Sequence, residues 1–365
     1  MDHLLTDEHL QLKNVVRSFF EDHCPVSAPP EPVGDDVLDR GLWMKVCGEL
    51  GLLGLPVPEH FGGSGYGLRE FGYVMEEAGR ALLSVPLLST AIAVQCLLLS
   101  GDQGTCMAHL PQIVSGEQCA TVAWQASSGD ASRPRARRTA EGWTISGLAG
   151  FVLDGHLDGV LIVFCDTADG PTAFLIGQSA AGVQRRRLRT LDLTRPQAEI
   201  SFEDAPATTL GCLGEGDVLR AALFERACVL LACEQVGAAE KCLEMSVEYA
   251  KTRVQFGRTI GSFQAIKHKC ADMYARVEAA RAAARYALVA ADERAEQLSL
   301  ATLVASSYVS EALTFTASEN IQVHGGIGFT WEHPAHLYYR RAKSSELLFL
   351  RPRDAREALV STLGV

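Results

Sequence analysis

Arg253, Phe256 and Gln264 stand close together in this chain, and Gln322, Gly325 and Gly326 form a second group further on. A guanidinium offers directed donors to phosphate oxygens. An aromatic face and side-chain amides can hold a purine, and adjacent glycines let bare backbone come close to a ligand. Together these groups suit a diphosphate joined to an adenine. Gly257 and Gly261 are what a tight helix-to-helix corner needs; the cation, the ring and the amides are not required for it. His324, between Gln322 and Gly325, reads as a neutral packing histidine.

The flanking segments must position these groups. Leu223, Ala227, Leu230, Val236, Leu243 and Val247 recur at mostly helical spacing before the corner, and Ile266, Met273, Val277, Ala280 and Leu288 do so after it. The expectation is helix, tight connection, helix. From the start, an amphipathic helix carrying Leu12, Val16 and Phe20 is capped by Thr6 or Asp7. A proline-rich extended stretch over 24–34 precedes helices over 38–52, 68–83, 90–100 and 103–115. From 118 to 204 the apolar runs shorten and glycines punctuate them, which predicts strands. Helices return over 217–252, 264–292, 298–323 and 334–348, enough for a bundle. The fold class expected is α+β: a helical domain over 1–116, a small β-barrel or sandwich over 117–210, and a four-helix bundle over 211–365.

A formal net charge of −11 disfavours nucleic acid as a partner. No run of 18 apolar residues suggests a membrane span, and the acidic N-terminus does not resemble a signal peptide. Eleven cysteines without a C-x-x-C pair predict reduced thiols in a cytoplasmic protein. No metal-ligand spacing is present, so no metal site is expected.

The pattern R-x-x-F-G-x-x-I-x-x-F-Q over 253–264, then Q-x-x-G-G-x-G-F over 322–329, resembles the acyl-CoA dehydrogenase family. Pro58-Glu59-His60-Phe61-Gly62-Gly63-Ser64-Gly65 resembles that family's P-E-x-x-G-G-x-G element. Trp331-Glu332-His333-Pro334 with Arg340-Arg341-Ala342-Lys343 is similar to its E-x-P…R-D-A-K stretch. Each motif is weak alone; their order along almost the whole chain carries the resemblance. It implies FAD as cofactor, an acyl-CoA thioester as substrate, and an electron-transfer flavoprotein as acceptor. The reaction implied is α,β-desaturation, in which a carboxylate takes the α-proton and the flavin the β-hydrogen as hydride. The implied FAD-binding residues are Arg253, Gln255, Phe256, Ile260, Gln264, Gln322, Gly325 and Gly326, a set that in the family reaches across a subunit interface to a neighbour's FAD.

The resemblance also locates the base. Its commoner position falls here on Phe349, which is no acid. The alternative position, in an L-E-R context on the first bundle helix, falls on Phe224-Glu225-Arg226. Glu225, set among apolar neighbours, is therefore the expected catalytic base, and Arg226 an expected substrate contact. The plainer reading of Glu225 is a solvated helix glutamate; Glu346 is a rival carboxylate near the commoner position. The family's flavin-ring motifs, T-E-P-x-x-G-S-D and W-x-T-N-G, correspond here to 124–130 and to Phe151-Val152-Leu153-Asp154-Gly155, where Leu153 cannot hydrogen-bond a flavin as a threonine could. The basic runs around Arg135 and Arg187 read as solvated strand ends, with CoA phosphates as the alternative. A chain that keeps the cross-subunit set and loses the ring set resembles one partner of the heteromeric α2β2 dehydrogenases that actinobacteria use on steroid-CoA and other bulky esters. The alternatives are a homo-oligomer, or a non-catalytic subunit that completes a sister chain's FAD site.

Overall fold

The computed structural model describes residues 5–26, 38–124 and 133–364. Helix α1 (Asp7–His23) opens on a capping box: the Thr6 hydroxyl accepts from the His9 N–H, and the His9 ring accepts from the Thr6 N–H. Next come α2 (Arg40–Met44), α3 (Leu68–Arg80), α4 (Leu87–Leu99) and α5 (Gln103–Val114). The helix expected over 38–52 is shorter than its pattern. It passes into one π turn at Lys45–Glu49 and stops at Gly51, whose φ of 62° a glycine adopts without strain. Of the proline-rich stretch, the part beyond Val26 lies outside the described residues.

Strands β1 (Ala120–Ala123), β2 (Arg135–Thr139), β3 (Gly142–Leu153), β4 (Val160–Cys165), β5 (Thr172–Ile176), β6 (Val183–Arg187) and β7 (Gln197–Leu210) follow. The last part is α6 (Gly216–Thr252), β8 (Val254–Gln255), β9 (Arg258–Thr259), α7 (Gln264–Glu293), α8 (Ala295–His324), α9 (Ala335–Glu346) and α10 (Pro352–Thr362). The chain forms two compact units. One takes Met1–Glu31, Leu68–Leu83 and Ala227–Val365; the other takes Pro32–Gly67 and Ser84–Arg226.

The second unit is organised by a seven-stranded sheet of order β1-β4-β5-β7-β3-β2, with β6 also on β7. β1 and β4 run parallel and the other pairs antiparallel. Alternate residues of β3 and β7, such as Ile145, Ala149, Ile200 and Phe202, bury with Phe174 of β5 in one core. β3 has register shifts between Ile145 and Gly147 and between Ala149 and Val152, which re-aim the side chains beyond them. Trp43 is fully buried, and its indole N–H donates to the Gly116 carbonyl at 2.9 Å.

In the first unit α3 lies unusually close to the bundle. A Cβ on Gly79 would fall 1.9 Å from the Glu234 carbonyl oxygen, and one on Gly237 would fall 1.7 Å from that of Glu76. Backbone thus meets backbone between α3 and α6. Around this contact lie buried charges. Glu76 is fully buried; it pairs with Lys13 of α1, and its carboxylate is 3.8 Å from Arg281 and 3.9 Å from Arg285 of α7. Glu77 receives two 2.9 Å bonds from Arg17, and Arg80 gives two 2.8 Å bonds to Glu244. Buried charges persist only when so paired. α8 is long and apolar enough to cross a membrane by length and composition, and half of its most apolar window is buried, against α7, α9 and α10. Seven of the eleven cysteines are buried, and Cys212 is exposed.

Candidate functional site

The corner after α6 is a hairpin. Val254 pairs with Thr259 and Gln255 with Arg258, and the turn is Phe256-Gly257 at φ 53° and 76°. A two-residue turn of this kind needs positive φ at both places. Gly257 takes it freely. Phe256 does so under strain, and its ring stands 90% exposed. Phe263 lies edge-on to it at 6.1 Å, and the Arg258 guanidinium covers the Phe263 ring at 4.0 Å. The Ile260 N–H returns to the Arg253 carbonyl at 2.8 Å, which folds the corner onto the end of α6.

The second group comes to the same end of the bundle. Tyr249, near the end of α6, stacks on His324, the last residue of α8, at 4.3 Å between ring centres. Gly325 follows at φ 66°, and a Cβ on Gly325 or Gly326 would meet nothing within 4 Å. Arg253, Gln255, Gln264 and Gln322 are exposed, and among the described residues their side chains make no hydrogen bond or ion pair. Ile260 is half-buried beneath them. The structure therefore brings the corner and the glycine turn together as one solvent-facing set of donors, an aromatic ring and open backbone.

Glu225 lies near the start of α6, half-buried, and forms no hydrogen bond or ion pair among the described residues. The ring of its neighbour Phe224 is edge-on to Trp124 at 6.2 Å. Arg226 turns one guanidinium N–H back to the Ala222 carbonyl of its own helix at 3.2 Å. Glu346 is occupied differently: Lys343 donates to it at 2.6 Å and Thr314 at 3.5 Å.

The sequence signature described as the N-terminal domain of acyl-CoA dehydrogenases matches residues 6–117, and that of their C-terminal domain matches 214–349. This chain belongs to the acyl-CoA dehydrogenase family. It is 35% identical to the acyl-CoA dehydrogenase IpdE2 of Mycobacterium tuberculosis over 97% of each chain. It superimposes with a TM-score of 0.88 on a chain of a variant of the Tcur3481–Tcur3483 steroid ACAD, at 28% identity and 98% coverage of both. The TM-score is 0.90 with a chain of the ChsE4–ChsE5 complex from Mycobacterium tuberculosis, at 27% identity, covering 100% of this chain and 99% of that one. The architecture is that of an acyl-CoA dehydrogenase, helical, then β, then helical, and the family is one of oxidoreductases.

FAD is the family's cofactor, and this acyl-CoA dehydrogenase fits its two ends unequally. The exposed guanidinium, the free amides and the open glycine backbone fit the adenosine diphosphate end. The positions matching the ring-binding motif offer less. Phe151 sits at φ 54° on a β3 bulge with its ring 52% exposed, free to lie against a flat group. Leu153 is 7% exposed, and its carbonyl already accepts from the Thr121 hydroxyl at 2.6 Å. Asp154 accepts from the Ser89 hydroxyl at 2.6 Å. The other ring motif, beyond Trp124, lies outside the described residues. Sequence reasoning missed Tyr249, Arg258 and His333 as builders of the bundle end. His333 had one usable signal: with His324 it brackets the glycine turn.

Proposed function

We propose that this chain is the base-bearing subunit of an FAD-dependent acyl-CoA dehydrogenase built from two kinds of chain. The observation that carries the reading is the contrast between its two flavin-related regions: Arg253, Gln255, Gln264 and Gln322 are free and exposed, whereas Leu153 is buried and its carbonyl is taken. A homo-oligomer would repeat the poor ring site in every copy; a sister chain with a complete ring site would use this chain's free donors. Arg253 would meet the diphosphate, Gly325 and Gly326 would let the backbone approach, and Gln255, Phe256, Ile260, Gln264 and Gln322 would frame the adenosine end. FAD supplies the two-electron acceptor when bound. Glu225, without a competing cation, holds the proton taken from the carbon next to the thioester, and Arg226 borders the substrate. The likeness to the Tcur3481–Tcur3483 steroid ACAD and to the ChsE4–ChsE5 complex supports a bulky, steroid-type acyl group and a hetero-oligomer. Electrons pass to an electron-transfer flavoprotein, the enzyme works in the cytoplasm, and its three domains are 1–116, 117–210 and 211–365.

The test is absorbance after purification. The chain alone is expected to carry little or no flavin, and co-expression with the matching sister chain to give about one FAD per pair. Arg253→Ala in this chain then strips FAD from the complex, lowering occupancy about tenfold or more. A lone chain that purifies with one tightly bound FAD per subunit would sink the two-chain reading. A non-catalytic role is the second reading, favoured by Phe349 at the commoner base position; Glu225 substitution separates the two.

A further inference from the structure

Beneath the glycine turn lies a stack of rings. His324 sits between Tyr249 of α6 and His333, each ring centre 4.3 Å from its own. The two imidazoles are fixed as different neutral tautomers. Nδ1 of His324 lies 2.8 Å from the Asn320 carbonyl, which can only accept, so that nitrogen carries the proton. Nδ1 of His333 instead accepts from the N–H of Ala335, the first residue of α9, at 3.2 Å, so its proton is on Nε2. Beside them His336 packs edge-on against Trp331 at 4.6 Å, and Arg340 lies over the other ring of that contact, Trp331, at 4.8 Å.

The segment 325–334 is a short 3-10 turn over Gly325–Phe329 and a link to α9, with Gly328 buried. Phe329 is 74% and Trp331 51% exposed, and the backbone bonds within it are local, Thr330 to Ile327 at 3.1 Å and His333 to Thr330 at 3.4 Å. The groups that face the histidine pair are Tyr249 from α6, the Asn320 carbonyl from α8, and His336 with Arg340 behind it from α9. Burial holds all three imidazoles below their ordinary value; His324 and His336 push His333 down further, and Arg340 does the same to His336. No carboxylate among the described residues acts on any of them.

We propose that His324 and His333 are positioning residues for the Gly325-Gly326 turn, and that their stack holds only while both rings are neutral. The proposal rests on the reading of that turn as part of a cofactor site. Protonating His333 removes the lone pair that accepts from Ala335. It also places a cation at the N-terminus of α9, where the helix dipole is already positive, and against two further imidazoles. The sign follows from depressed values in the folded state: the contribution is complete above the ordinary imidazole value and is lost as pH falls through the folded one.

Hydrogen exchange on the full chain, without FAD, at pH 7.5 and pH 5.0 and corrected for intrinsic rates, reads this directly. Protection of 325–334 is expected to fall about fivefold or more at the lower pH, while α7 keeps its protection. His333→Asn leaves an acceptor near the same place but has no proton to gain, and should hold protection at both pH values. A wild-type change under about twofold, an equal loss in α7, or an asparagine variant that loses as much as wild type would each overturn the proposal. The measurement needs no flavin. If the segment responds as expected but Arg253→Ala leaves FAD in the complex, only the cofactor reading fails.

Discussion

Glu225→Gln is expected to lower turnover of the assembled enzyme by about 10² to 10⁴, the usual worth of a positioned base. The two side chains have nearly the same shape, so what is lost is the ability to take a proton. Folding should survive, because the Glu225 carboxylate has no hydrogen bond or ion pair among the described residues for the amide to break. FAD absorbance and the melting midpoint then stay at wild-type values while dye reduction with acyl-CoA collapses. Glu346→Gln is the control. It removes a partly exposed pair with Lys343, worth about 1 kcal/mol or less, and turnover should barely move. Normal turnover in Glu225→Gln would show that proton removal belongs elsewhere and would favour the non-catalytic reading.

Gly237→Ala is expected to destabilise the chain by more than about 4 kcal/mol, at the severe end for a single substitution. The added carbon would lie 1.7 Å from the Glu76 carbonyl oxygen, which is backbone and cannot swing aside. The clash is relieved only by moving α3 away from α6. That movement would draw Glu76 from Lys13, Arg281 and Arg285, leaving a buried carboxylate without its cations. A melting midpoint lower by about 5 °C or more is the expected reading. Gly326→Ala calibrates it: its Cβ meets nothing within 4 Å, so stability should not change. An alanine at 237 that melts like wild type would mean that the two helices are not held at this spacing.

The helices of the bundle were legible because long apolar periodicity has few other causes, and 264–292 and 298–323 differ from α7 and α8 by a few residues at the ends. The β region was legible as texture, in runs such as Val160–Cys165, whereas strand order was not: that β1 lies parallel to β4 depends on pairings no local pattern records. The hairpin of Val254 to Thr259 escaped because strands of two residues bury nothing and leave no alternation. Arg253, Gln264 and Gln322 stood out by type, since amides and a cation are not needed to turn a corner, and all three are exposed. The glycines of α3 and α6 could not be paired from sequence. Gly79 and Gly237 look like weak points in two helices until their partners, Glu234 and Glu76, are seen. The histidine stack was hidden for the same reason: Tyr249, His324 and His333 meet only through tertiary structure.

The division into units also has a consequence for the order of synthesis. The chain begins one unit with α1, starts the other over Pro32–Gly67, returns for α3 within Leu68–Leu83, leaves again through Arg226, and completes the first from Ala227. On the ribosome the second unit can therefore close while the first still lacks most of its bundle. Lys13 and Glu76 can find each other early, but Arg281 and Arg285 are made much later. Until then Glu76 leans on Lys13 without its α7 arginines, whereas Glu77 already has Arg17. The α1–α3 pair is thus partly neutralised before the bundle is made, and the two α7 arginines complete it last.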